Sequence, residues 1–165
     1  MRIFSFLHAK EAVDDPEYFA YLVEGLTTLR TWSSALAKTM GNPDKWSNVF
    51  DETVKVRKLS VRSVQTEPPK ALRRLHNSLD YCLWAVRDLE DAQMAYFTAL
   101  ATQGPEGLGK VLFSKAAADK AADRMQKRFS ELDRAIWAVV RSGQVNDQKV
   151  TRAASRLFGW QSNKI

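Results

Sequence analysis

The sequence predicts an all-α fold: a four-helix up-down bundle with a long C-terminal helical hairpin and a short β segment near 54–57. Three observations predict it. Two long stretches in the second half space their apolar residues three and four apart, as a helix with one buried face requires. Helix-start signals of the Asp-Pro type recur in the first half. Between them, Val54-Lys55-Val56-Arg57 alternates apolar and basic residues, the period of a half-buried strand.

The first helix is expected to begin at Asp15-Pro16-Glu17. Asp caps the free amides, Pro occupies a position that needs no donor, and Glu faces the positive end of the helix dipole. Phe19, Leu22, Leu26, Leu29, Leu36 and Met40 keep helical spacing up to Gly41. Asn42-Pro43-Asp44 repeats the start signal; propensity alone allows one continuous helix from Asp44 to Gln65, whereas the alternating segment favours a shorter helix that ends near Glu52. Thr66-Glu67-Pro68-Pro69 then divides the chain, because a Pro pair continues neither helix nor sheet.

The hairpin is the most regular part. Leu72, Leu75, Leu79, Cys82, Val86, Leu89, Gln93, Tyr96 and Leu100 form one seam. Val111, Lys115, Ala118, Ala122, Met125, Phe129, Leu132, Ile136 and Val139 form the other, across a turn at Gln103-Gly104-Pro105-Glu106-Gly107. Folding about that turn puts Leu100 opposite Val111, Val86 opposite Met125 and Leu72 opposite Val139, so the register is continuous. Helices of this length span on the order of 50 Å. Trp84 and Trp137 lie beside the seam and are expected to pack against the first two helices. One domain, 1–165, is expected, with residues 14–65 as the first helix pair and strand-like segment, 70–142 as the hairpin and 143–165 as a tail. In that tail Val150, Ala153, Ala154 and Leu157 make an amphipathic turn; too little chain follows for a recognition helix, so a docking helix is the expectation.

With 45% hydrophobic and 27% charged residues, the composition is that of a globular domain with a real core. No run approaches the roughly 20 apolar residues of a membrane helix, and MRIFSFLHAK is too short for a signal peptide. Cys82 is the lone cysteine, which leaves no internal disulfide and suits a reducing compartment. The net charge of +6 is uneven. Residues 55–74 hold seven Lys/Arg against one acid, and residues 134–165 hold six against one. In an up-down bundle both blocks gather at one end. Basic blocks of this kind suit a polyanion, nucleic acid or acidic membrane, or form a plain solvated surface.

Enzyme chemistry is not expected. His8 and His76 are the two histidines, and no metal-ligand spacing, paired-cysteine motif or Gly-rich phosphate loop occurs. No catalytic residue, metal or cofactor is assigned. His76 and Asp80, one turn apart, read as a surface pair, and Cys82 reads as a small core residue. Lys110, Lys115, Lys120, Arg124, Lys127 and Arg128 line much of the last long helix, with Asp119 and Asp123 among them. Such a stripe tracks phosphates or is an ordinary exposed face.

Motif order adds a resemblance. Phe4-Ser5-Phe6-Leu7, Asp15-Pro16, Trp46-Ser47-Asn48-Val49-Phe50, Val54-Lys55-Val56-Arg57, Arg141-Ser142-Gly143 and Phe158-Gly159-Trp160 follow one another in the order seen in the coat proteins of rod-shaped plant RNA viruses. The chain resembles the tobamovirus type over nearly its whole length. It departs where Lys58-Leu59 replaces Phe-Pro, and where Arg87-Asp88-Leu89-Glu90-Asp91 replaces an Arg-rich helix end. The resemblance implies a bundle that self-assembles into a helical rod around single-stranded RNA, located in a virion assembled in the host cytoplasm, with no small-molecule substrate. It implies RNA contacts at Lys120, Asp123 and Arg124, with Lys115 and Lys127 on the same helix and Arg87 on the preceding one. It also implies inter-subunit carboxylates, here Asp88, Glu90, Asp91 and Glu106, whose repulsion drives disassembly. The expected alternative is a non-enzymatic helical scaffold that binds anionic membrane or protein partners through its basic end.

Overall fold

The computed structural model describes residues 12–39, 46–102, 104 and 107–157. The motifs at Phe4-Ser5-Phe6-Leu7, Asn42-Pro43-Asp44 and Phe158-Gly159-Trp160, together with His8, Gly41 and Glu106, lie outside these residues. The fold is all-helical. Helices α1 (Pro16–Thr39), α2 (Trp46–Gln65), α3 (Arg73–Thr102), α4 (Leu108–Arg141) and α5 (Gln148–Leu157) account for most of it, with a 3-10 turn at Lys70–Leu72.

Local chemistry sets the ends. Asp15 Oδ1 accepts from the Tyr18 amide at 2.9 Å, the N-cap bond that its position before Pro16 predicts. Asp147 caps α5 in the same way, accepting from the amides of Lys149 and Val150. α4 stops at Gly143, which takes φ of 72°. The Gln144 amide bonds to the Val139 carbonyl and the Gly143 amide to that of Val140, a Schellman turn. A side chain at Gly143 would strain that left-handed conformation.

The expected β segment near 54–57 is not present. Val54 to Arg57 sit in the middle of one unbroken helix, α2, and no strand occurs among the described residues. The buried face of α2 explains the misreading. Val49, Thr53, Val56, Ser60 and Ser63 are all buried and recur every three or four residues. Three of these five are small and polar, so the helical period is invisible to a hydrophobicity pattern. The apparent alternation came from Val54 and Val56, yet Val54 is 50% exposed and only Val56 is buried.

α1 packs against α2 and α5, α2 against α3, and α3 chiefly against α4. α1 and α2 are joined by a buried bond from Trp32 Nε1 to Thr53 Oγ1 at 3.0 Å. Gly25 lets α1 approach α3, since a Cβ there would stand 2.9 Å from a Leu79 methyl. His76 links three helices. Its Nε2 donates to the Ser63 carbonyl in α2, and its Nδ1 accepts from the Tyr18 hydroxyl in α1, each at 3.1 Å. His76 is therefore a buried pin rather than half of a surface pair with Asp80, and burial pushes its imidazole below the ordinary value.

The seam residues Leu72, Leu75, Leu79, Val86, Leu132 and Ile136 are buried within the core, and Cys82 lies among them, its thiol pushed up by burial. Arg128 stacks on Tyr81 and Arg124 reaches Asp88, within two residues of the register expected for the hairpin. Trp84 is 40% exposed and carries the Arg87 guanidinium on its ring.

Candidate nucleic-acid interface

The exposed side of α4 carries the residues expected to meet RNA. Lys120, Asp123, Arg124 and Lys127 are all exposed. Lys120, Arg124 and Lys127 are spaced four and three apart, so they share one face. Lys120 and Lys127 make no close ion pair among the described residues, although Lys127 stands near enough to Glu131 to favour its charged form, and Arg124 stands 3.9 Å from Asp88, a loose and exposed contact. Such a pair contributes little against solvent screening. Lys115 lies five residues before Lys120, about 140° around the helix. It is engaged by Asp119 at 2.7 Å, which holds its ammonium above the usual range.

Arg87 does not join this face. Its guanidinium lies 4.1 Å from the Trp84 ring centroid, and one terminal nitrogen donates to Ser60 Oγ of α2 at 3.1 Å. The carboxylates assigned to subunit contacts have partners inside the chain. Arg57 donates to Glu90 Oε2 from Nε at 2.8 Å and from Nη2 at 2.6 Å, and it also reaches Asp91. This clamp joins α2 to α3. With Asp88 facing Arg124, each of the three described carboxylates is close to a cation.

Two further features bear on the site. At the closed end of the hairpin, Met94, Phe97, Leu100, Leu108, Leu112 and Phe113 are 40–78% exposed. Beside them an apolar depression of about 540 Å³ opens between the helices, lined by Ala95, Ala99, Gly109 and Phe113 among others. The seam pattern counted Leu100 as core because it runs on in step; what it lacks is a third helix to cover it.

At the other end, the two basic blocks meet. A groove of about 810 Å³ runs between the start of α3 and the end of α4, lined by Lys70, Arg73, Arg74, Tyr81, Arg128 and Arg134. Its one carboxylate, Glu131, accepts from Arg128 at 2.7 Å, which holds it below the usual carboxylate range. Lys70, Arg73 and Arg74 pair with no carboxylate among the described residues. The signal for this groove was present as two separate charge blocks.

No group of His, Cys, Asp and Glu among the described residues has the arrangement of a metal site, and no helix there is long and apolar enough to cross a membrane. No family model, curated protein or solved structure matches the chain.

Proposed function

We propose that the protein is a non-enzymatic structural protein that assembles with copies of itself and coats single-stranded RNA, as the capsid subunit of a rod-shaped virion assembled in host cytoplasm. One observation carries this reading: a single helical hairpin presents both an exposed cationic stripe and an exposed apolar tip. The stripe of Lys120, Arg124 and Lys127 suits phosphates without base selection, which a coat must have to accept every nucleotide. The tip residues Phe97, Leu100, Leu112 and Phe113 suit burial against neighbouring subunits. Weak contacts of this kind add up when repeated along a polymer. The rod reading takes α1 to α4 as an up-down bundle. The coat-protein resemblance supports it through motif order alone, since α2 has no strand at Val54-Lys55-Val56-Arg57.

Electron microscopy of the purified chain with and without RNA tests the reading. Rods or discs, together with nuclease protection of the RNA, are expected. Replacing Lys120 and Arg124 by Ala is expected to abolish protection, and unchanged protection removes the stripe from the RNA site. A monodisperse monomer that ignores RNA and binds only acidic vesicles establishes the membrane-binding scaffold instead.

A further inference from the structure

We propose that the groove between α3 and α4 is a second polynucleotide site, in which Arg73, Arg74 and Arg134 hold phosphates while one base stacks on Tyr81. The proposal takes its ligand class from the coating reading. The groove itself stands on separate residues, at the opposite end of the hairpin from the apolar tip.

Charge is the first argument. Five cations line the groove against one carboxylate, and that carboxylate is already held by Arg128. The groove therefore has a surplus of positive charge over the single carboxylate that lines it. Its volume of about 810 Å³ falls within the range of sites that enclose ligands of nucleotide size, roughly 300–1,000 Å³.

The aromatic ring is the second. Tyr81 is 50% exposed on α3, although the core beside it is closed by Cys82 and Leu79. The Arg128 guanidinium lies 4.9 Å from its ring centroid, so the ring is held in place by a cation. A positioned ring set among cations is what a single strand needs, because every base has a π-face and stacking asks for no particular sequence. Asn77, exposed one turn before Tyr81, supplies an amide for a base edge or a sugar hydroxyl. A flat acidic membrane has phosphates but no base, so it would use the arginines and leave Tyr81 idle.

Continuity is the third. Arg134, Lys127, Arg124 and Lys120 follow one another along the exposed side of α4, a span of about 20 Å. The groove therefore opens onto the stripe, and one strand can run from Arg73 and Arg74 past Tyr81 to Lys120.

Fluorescence anisotropy of a short labelled single-stranded RNA of mixed sequence, titrated with the intact chain over a salt series, tests this. Arg73→Ala with Arg74→Ala is expected to weaken binding at low salt and to lower the slope of log K against log salt by about 1.4, roughly 0.7 for each lost phosphate contact. Tyr81→Ala is expected to weaken binding by about tenfold with the slope unchanged, and Tyr81→Phe to restore it. Thermal unfolding controls for folding; should Tyr81→Ala melt early, the arginine pair and Tyr81→Phe still decide. If the groove variants bind like the parent while Lys120→Ala with Arg124→Ala loses the RNA, the groove is not a polynucleotide site and the coating reading stands. If the unaltered chain binds no RNA, both fall. Loss of phosphatidylserine-vesicle binding in the arginine pair, with RNA affinity unchanged, also overturns the proposal and assigns the groove to lipid.

Discussion

The two ends of the α3–α4 hairpin are built from similar residues and treated differently by the fold. Around Leu75, Leu79, Val86, Leu132 and Ile136, apolar side chains are almost wholly buried because α1, α2 and the segment after Gly143 close over them. Around Phe97, Leu100, Leu108, Leu112 and Phe113 the same kinds of side chain stay in water. The first set contributes to folding, each buried Leu or Ile adding about 1.5–3 kcal/mol. The second set stays exposed and adds little to folding. An apolar period in a sequence thus reports that a face wants cover, without reporting whether the cover comes from the same chain.

The sharpest way to break this contrast is a pair of truncations. Leu79→Ala, in the closed region, is expected to lower unfolding free energy by about 2–5 kcal/mol in urea denaturation. Phe113→Ala, at 78% exposure, is expected to change it by less than about 0.5 kcal/mol while reducing assembly in sedimentation. Equal effects on stability would end the distinction. A smaller effect concerns the His76 pin in the buried region. Tyr18→Phe removes the hydroxyl that His76 Nδ1 accepts from, at an expected cost of about 1 kcal/mol.

The same pin carries a pH dependence. Burial holds the His76 imidazole below its ordinary value of 6.5, so as pH falls through that value the unfolded chain takes up a proton before the folded one. His76 therefore contributes stability above about pH 6.5 that is progressively lost below it, until the folded imidazole also protonates. Denaturation midpoints at pH 7.5 and 5.5 should differ more in the parent than in His76→Gln. A small effect is also expected from Arg57→Ala, about 0.5 kcal/mol, because the clamp on Glu90 and Asp91 is part exposed; high salt should shrink it further.

The helix starts at Asp15, the Pro68-Pro69 break and the hairpin register were legible because each depends on neighbours in sequence. α2 was misread because Thr53, Ser60 and Ser63 are buried as small polar residues, their hydroxyls bonding to backbone or to Trp32 where partners are found. Burial by fit rather than by hydrophobicity leaves no mark in a hydropathy pattern. Of the candidate interface, the α4 stripe could be read because spacing alone puts Lys120, Arg124 and Lys127 on one face. The pairing of Glu90 and Asp91 with Arg57 could not, since it depends on how α2 lies against α3. The bond from Arg87 to Ser60 was hidden for the same reason, since Ser60 belongs to α2, whereas Trp84 lies one turn before Arg87 on α3 itself.

The Val13 amide donates to the Gln144 carbonyl at 2.9 Å, tying the entry to α1 to the exit from α4. Almost the entire described chain lies between those two groups. Closing so long a loop costs about 2 kcal/mol more in chain entropy than closing a ten-residue one, whereas the α3–α4 hairpin closes over a short turn. The hairpin can therefore form early, and this clasp must wait until α1, α2 and the hairpin have met. During that interval the hairpin's apolar tip and its cationic face are already displayed, before the chain's two ends are joined.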